Sequence, residues 1–257
     1  MSQMVAGPKA HNPELQVKLA DRSDEFDQVK RLRYECFVEE FGNHQMNNHR
    51  RLEEDSYDLW CDHLIVKVLP SDQVVGTYRL MPGERALVHG GFYSESFFDL
   101  TNFVPPKERT LELGRSCIAP TYRNGRVIQL LWEGIANYVK EREYQYLIGC
   151  ASMRGMDRIQ HNRIHSLLQK HGHLTMRYGV RPLLEKRINE LQLMEDAHGG
   201  VKELFRLLPP LIKGYLRLGA ELAEEPIYDS RLNSIDYLVV LSTKKVVDKY
   251  RRHFLER

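Results

Sequence analysis

Glu112 and Arg115 sit in the run Leu111-Glu112-Leu113-Gly114-Arg115-Ser116-Cys117-Ile118-Ala119-Pro120, a carboxylate and a guanidinium inside an otherwise apolar stretch. A carboxylate held among apolar neighbours can accept a proton from an amine, and a guanidinium can orient a carboxylate. The same two groups can equally form an ordinary ion pair with other strands. Directly after them come Arg123, Asn124, Gly125 and Arg126. A glycine turn leading into a helix can hold a phosphate on free backbone N–H groups, and a solvated turn has the same composition. Upstream, Glu53-Glu54-Asp55-Ser56-Tyr57-Asp58 places four carboxylates in six residues. Their spacing is not that of a calcium loop, and such runs are usually solvated. With Asp62 and Arg79 at strand ends, charges of both signs at the mouth of an apolar cleft would suit a zwitterion.

The elements that must position these groups follow from periodicity. Residues 1–14 are polar and contain Gly7, Pro8 and Pro13, which predicts a loose leader. Val17 and Leu19 alternate in a first strand, Gln16 to Ala20. Phe26, Val29, Leu32, Cys36 and Phe37 predict a helix capped by Asp21 or Ser23 and ending near Gly42. Strands are expected over His63 to Leu69 and Val74 to Leu80, joined by a turn at Ser71-Asp72. The charged run at 111–119 is itself a strand. Glu112 and Arg115 are three apart, so a regular strand points them to opposite faces, and a bulge at Gly114 would change that. An amphipathic helix is expected from Val127 to Glu143 and a buried strand over Tyr146 to Ala151. Together these make a right-handed βαβ unit with parallel strands. Helices are expected over Arg158 to Lys170, Arg181 to Met194, and Val201 to Gly219, the last broken at Pro209-Pro210. A strand over Asp236 to Ser242 and a helix over Lys244 to Phe254 close the chain. The pattern predicts one domain over 1–257, with a core at 15–155, a helical insertion at 156–225, and a C-terminal strand and helix at 226–257.

Composition narrows the function. At 257 residues, 42% hydrophobic and 28% charged, a folded core is expected. A net charge of +2 gives no basis for nucleic-acid binding. Cys36, Cys61, Cys117 and Cys150 form no CxxC pair and read as buried thiols. His161 and His165 are four apart without an intervening zincin glutamate, so no metal site is expected. Nucleophile-elbow, P-loop and dinucleotide fingerprints are absent. Neither a secretion signal nor an apolar run near 18 residues is present, which points to the cytoplasm. The basic, apolar segment Lys202 to Arg217 suits peripheral contact with an anionic membrane face or, equally, packing on the core.

The motifs Cys61-Asp62-His63-Leu64, Gly91-Phe92-Tyr93-Ser94-Glu95, Glu112-Leu113-Gly114-Arg115-Ser116-Cys117 and Leu131-Trp132-x-Gly134-Ile135 resemble the ornithine lipid type of N-acyltransferase, also called hemolysin-like, of the GNAT superfamily. Gly149-Cys150-Ala151-Ser152, the Pro209 to Ala220 segment and Arg252-His253-Phe254 extend the resemblance over most of residues 30–254. A more distant likeness is to acyl-homoserine lactone synthases and N-acyl amino acid synthases. It is carried by Arg33, Phe37, Glu53, Asp55 and Asp58, with Arg79 and the Glu112/Arg115 pair.

The resemblance implies an α/β (α+β) GNAT-like fold: a mixed central sheet with splayed parallel strands, helices on both faces and a helical insertion before the last strand. It implies transfer of a long-chain, 3-hydroxy or plain, fatty acyl group from acyl carrier protein to the amine of an amino acid such as ornithine. No cofactor is held permanently; the acyl-phosphopantetheine thioester of the carrier, or acyl-CoA, is a co-substrate. Glu112 and Arg115 are the implied catalytic pair. Arg33, Phe37, Glu53, Asp55, Asp58, Asp62, Arg79 and Phe92 are the implied substrate-binding residues. Cys117, Ile118, Arg123, Asn124, Gly125, Arg126 and Ser152 would follow the phosphopantetheine. The turn at 123–126 is shorter in glycine and richer in arginine than common GNAT phosphate loops, which suits the single phosphate of a carrier protein. Candidate acyl linings are Phe92, Tyr93, Phe97, Phe98, Trp132 and the 201–218 segment, and Arg123, Arg126, Arg154, Arg158 and Arg163 are candidate carrier contacts. The rival readings are an acyl-homoserine lactone synthase-like enzyme, an acetyl-CoA-dependent acetyltransferase, and a non-enzymatic lipid-binding, hemolysin-like protein.

Overall fold

A computed structural model describes residues 13–69, 71–155, 157–188, 191–194 and 199–244. The expected terminal helix and the Arg252-His253-Phe254 motif lie essentially outside these residues.

The chain starts with strand β1 (Glu14–Leu19) and helix α1 (Ser23–Tyr34), which continues as a π-helical turn over Glu35–Glu39. The expected side-chain cap is not made. Arg22 occupies the cap position without a side-chain bond, and Glu25 reaches back to accept from the Asp21 N–H. β2 (Asp62–Leu69) and β3 (Gln73–Pro82) form the expected hairpin, with Asp72 at positive φ in the turn. Then come α2 (Gly83–Val88), the short β4 (Phe98–Asp99), β5 (Thr110–Ile118), α3 (Arg126–Arg142) and β6 (Tyr146–Arg154). α4 (Arg158–Lys170) takes its N-cap from Asp157, whose side chain accepts from the Gln160 N–H. β7 (Leu174–Thr175), β8 (Arg181–Pro182), α5 (Val201–Leu207) and α6 (Pro210–Arg217) follow. Proline suits the first turn of α6, where its missing N–H costs no helical bond. β9 (Glu221–Ala223), β10 (Ile227–Asp229) and β11 (Ser234–Ser242) complete the described order.

The helix expected over Arg181 to Met194 is not formed. Pro182 pairs with Phe98, the Leu183 amide donates to the Phe97 carbonyl, and Arg187 bridges Ile227. These bonds hold residues 181–183 and 187 in strand-like pairing around a 3-10 turn at Leu184–Lys186. Residues 156–225 supply α4, α5 and α6, and also β7 and β9, which join the main sheet.

The main sheet runs β1-β2-β3-β5-β6-β11-β9-β7, with β10 on β11. β5 and β6 are parallel, but their register covers only Thr110, Leu111 and Glu112 against Tyr146, Leu147 and Ile148. Beyond that point β5 stays with β3 and β6 with β11, so the two strands part. Gly149 marks the fork. A Cβ there would lie 2.3 Å from the Leu113 carbonyl oxygen, closer than any side chain allows.

Alternation sends the apolar side chains to two faces. On one, α3, α4, α5 and α6 cover Tyr78, Leu80, Leu111, Leu113, Ala151 and Tyr237. Leu204, Leu208, Ile212, Tyr215 and Leu216 of the 201–218 segment are buried there, so its apolar side packs on the core. On the other, α1 covers Ile65, Val74 and Cys117, and the aromatic segment Phe92–Leu100 covers Met81, Ile148, Leu238 and Val240. Among the described residues no helix is long and apolar enough to cross a membrane.

Candidate active site

Where β5 and β6 part, a cavity of about 360 Å³ runs through the sheet. Arg79, Met81, Glu112, Cys150, Ser152 and Asp236 line it from one face, and Tyr78, Leu113, Leu211 and Tyr215 from the other. The fork thus connects a charged chamber with an apolar one.

Glu112 and Arg115 meet in this cavity because β5 is bulged. The β3–β5 register passes from Thr77↔Cys117 to Arg79↔Gly114, so Tyr78 faces both Arg115 and Ser116. Arg115 takes the extra residue's conformation at φ 49°, a strained choice for a side chain of its size. Glycine at 114 lies close to the Arg79 guanidinium instead.

The acidic run turns inward rather than to solvent. Buried Arg33 pairs with Glu53 and, at 2.7 Å, with Asp58. Arg79 donates to Asp55 at 2.6 Å and to Asp58 at 3.1 Å, and Arg115 to Glu53 at 2.9 Å and Asp55 at 2.8 Å. Three guanidiniums and three carboxylates therefore neutralise one another. The loop is shaped for this: Asp55 accepts from the Tyr57 amide and Asp58 from the Asp55 amide, closing a 3-10 turn over Ser56–Leu59. Against the cost of burial, Arg79 and Arg115 hold Asp55 below the usual carboxylate range, and Arg33 and Arg79 hold Asp58 well below it. The Tyr93 ring stacks under Arg115, 4.6 Å from its guanidinium carbon, and under Arg79 at 5.3 Å.

Glu112 is different. No cation bonds it; its oxygens accept from the backbone N–H groups of Tyr93 at 2.6 Å and Ser94 at 2.8 Å. It is 4% exposed. Burial pushes its carboxyl above the usual range, outweighing the Ser94 side chain, the two amides and the Arg79 charge. A carboxylate so placed holds a proton more readily than an exposed one.

The remaining predicted residues divide. Phe37, Glu53, Arg79 and Ser152 line the cavity with Glu112 and Arg115, while Arg33, Asp55 and Asp58 stand behind as the ion network. Asp62 does not line it; its carboxylate accepts from Arg85 at 2.8 Å and from the Tyr138 hydroxyl at 2.6 Å. Phe92 is wholly buried in the aromatic core beside Phe97 and Phe98, away from the lining. Of the expected acyl linings only Tyr93, Leu211 and Tyr215 reach the cavity; Trp132 packs behind Tyr78 and Tyr215. Cys117 is buried under α1 with Cys36, and Ile118 flanks the opposite core. Arg123 donates to Glu40 at 2.6 Å and to the Ile118 carbonyl at 2.9 Å. Asn124 accepts from the Arg126 N–H, Gly125 takes φ 95°, and Arg126 reaches the Pro13 carbonyl. Arg163 pairs with Glu203, and Arg154 lies over the Phe41 ring, 4.2 Å away, on the cavity wall.

Sequence reasoning missed Tyr78, Cys61, Met81, Arg231, Leu232 and Asp236 as lining residues. For Asp236 a signal existed, an acid near the start of a strongly apolar strand. Burial pushes the Cys61 thiol up to about 12 and the Cys117 and Cys150 thiols well above their ordinary value. None of the three is a ready nucleophile.

Comparison with known proteins accounts for this arrangement. Residues 32–133 match the model of the acetyltransferase (GNAT) domain. The L-ornithine N(alpha)-acyltransferase of Agrobacterium fabrum is 36% identical over 249 residues, 93% of this chain and 85% of that protein. The enzyme of the same name from Rhodobacter capsulatus is 33% identical over 261 residues, 99% of this chain and 98% of that one. Among solved structures, the CoA-dependent acyl-homoserine lactone synthase MesI superposes with a TM-score of 0.54 at 11% identity, over 93% of this chain and 95% of its own, and so shares the fold. The charged fork between β5 and β6, set in a sequence a third identical to these enzymes over nearly its whole length, belongs to an N-acyltransferase of the L-ornithine Nα-acyltransferase family.

Proposed function

We propose that this chain moves a long-chain, 3-hydroxy or plain, fatty acyl group from the phosphopantetheine of acyl carrier protein to the α-amine of a free amino acid, ornithine being the first candidate from its relatives' names. The observation that carries the reading is Glu112: buried, at the fork, held by the Tyr93 and Ser94 amides, and with its carboxyl pushed up by burial. The α-ammonium gives its proton to Glu112, the freed nitrogen attacks the thioester carbonyl, the N–C bond forms and the C–S bond breaks. The nitrogen's second proton passes to the leaving thiolate, and Glu112 returns the first to solvent, so amide and thiol form with one proton released. Past the Glu112–Ile148 pair, amides on the inner edge of β5 have no β6 partner, and these can donate to the developing oxyanion. High-pKa thiols in the wall agree with direct transfer, with no acyl-enzyme. The substrate carboxylate is directed to Arg79 and Arg115, whose charges the network fixes at the cavity wall.

The donor reading rests on the turn before α3, on the face where the apolar chamber lies. Arg123 and Arg126 are spent on protein oxygens and Asn124 takes the first helical amide. What is left at the helix N-terminus suits one phosphate better than a pyrophosphate. The test is mass spectrometry of products from ornithine with a long-chain 3-hydroxyacyl carrier protein, the matching acyl-CoA, or acetyl-CoA. N-acylornithine should form most efficiently from the carrier thioester. Efficient use of acetyl-CoA alone would make the chain an acetyltransferase and end this reading.

A further inference from the structure

The charges around the cavity do not cancel. The three-arginine network is neutral, and Asp229 is taken by Arg231 at 3.4 Å. Asp236 remains. It is 3% exposed, it lines the cavity, and its carboxylate accepts a 2.7 Å hydrogen bond from the Ser234 hydroxyl, with the Ser152 hydroxyl beside it. Among the described residues no cation stands within ion-pair distance of it; Arg154 lies over Phe41 and favours its ionised form only through space. A buried carboxylate hydrogen-bonded by hydroxyls and not ion-paired is costly to ionise. It is a place where a ligand's cation would be welcome.

Its position relative to Glu112 is fixed by strand register. Glu112 lies against Ile148 of β6 and Asp236 against Ser152, with Cys150 between them and within electrostatic reach of both. All point into the charged chamber. Four residues along β6 and a strand step of about 4.8 Å to either side of it, since β5 and β11 flank β6, set the two Cα atoms about 16 Å apart before their side chains lean toward each other. An extended ornithine separates its two nitrogens by roughly 6 Å over five bonds. A hydrogen bond of about 3 Å at each end brings the total to about 12 Å.

Resting on the transfer reading above, we propose that Asp236 is the specificity-determining residue that receives the side-chain ammonium of a basic amino acid while Glu112 faces its α-amine. The enzyme then selects amino acids whose side chain ends in a cation at about ornithine's length. In the empty protein burial holds Asp236 toward its protonated form, assisted by Asp229 and opposed by Ser234, Ser152 and Arg154. An arriving ammonium ionises it, and a proton leaves.

Two measurements test this. The first is kcat/KM for ornithine against norvaline, which has the same carbon chain without the amine. Wild type should favour ornithine about 100-fold or more, and Asp236→Asn should collapse that ratio toward 1. Equal use of both by wild type, or an unchanged ratio in Asp236→Asn, overturns the assignment. Should Asp236→Asn not fold, Ser234→Ala, which removes the hydroxyl holding the acid, should shrink the ratio several-fold. The second needs no acyl donor and no variant: calorimetry of free ornithine and norvaline in buffers of differing ionisation heat. Ornithine should release more protons than norvaline below neutral pH, and identical release overturns the proposal. Failure of the transfer reading itself would look different, as absence of N-acyl product from every amino acid offered.

Discussion

The two sets of charges in this cavity are built on opposite terms. Arg33, Arg79 and Arg115 share Glu53, Asp55 and Asp58 so completely that each ion faces at least one of the other sign. Glu112 and Asp236 have only amides or hydroxyls. Neighbouring guanidiniums push the Asp55 and Asp58 carboxyls down, while burial pushes both members of the second set up. Asp55 and Asp58 are held toward the charged form, whereas Glu112 and Asp236 are held toward the protonated one. A scaffold and a proton-handling site thus stand side by side, told apart by what each acid is bonded to.

The largest effect should come from breaking the scaffold. Arg33 is completely buried, and Arg33→Met would leave Glu53 and Asp58 short of a partner. Removing one member of a buried pair typically costs about 3–5 kcal/mol, and urea unfolding should show a loss of that size together with lost activity. A loss below about 1 kcal/mol would mean that the network behaves like exposed ion pairs and fixes nothing.

Glu112→Gln should do the reverse, lowering kcat/KM about 10²–10⁴-fold while changing stability less than Arg33→Met does. The pH dependences separate the two sets further. Glu112 works ionised, so kcat/KM should rise with pH through its raised pKa. Its effect on stability has the other sign. The folded state binds this proton more tightly than the unfolded chain, so the contribution is present below the ordinary value of 4.5 and is lost as pH rises through the folded pKa. Asp58, depressed in the fold, contributes above 3.8 and loses that contribution as pH falls. A Glu112→Gln enzyme with an unshifted pH–rate profile would remove Glu112 from the proton path.

How much of this was legible beforehand depended on the range of the interaction. Strands 63–69, 146–151 and 236–242 and the breaks around α6 are local patterns of apolar spacing and proline, and they appear in the fold close to where the sequence places them. The arginine–acid constellation was visible through resemblance. The inward turn of the acidic run was not, because its partners come from α1, β3 and β5. Arg115's entry into the cavity depends on a bulge that only cross-strand register reveals. The segment 181–194 has helical spacing, yet Pro182 and the Phe97 carbonyl draw residues 181–183 into strand pairing at its start. Phe92 read as an acyl lining because aromatic residues cluster there, but the cluster is its own core. Asp236 gains meaning only from lying across Ser152.

The smallest effect is expected outside the cavity, at Arg123. Its pairing with Glu40 is partly exposed on both sides, so Arg123→Ala should change stability by less than about 1 kcal/mol. Arg123 nevertheless ties the end of β5 to the turn before α3 through the Ile118 carbonyl. If that turn holds the donor's phosphate, loosening it should raise KM for the acyl carrier several-fold and leave KM for ornithine and kcat nearly unchanged. Glu40 already neutralises the Arg123 charge, so the salt dependence of carrier binding should change little. A steep new salt dependence would show instead that Arg123 meets the carrier directly as a charge. A fall in kcat would extend proton-handling or reacting geometry beyond Glu112 and erase the boundary between fixed and titrating charge drawn at the fork.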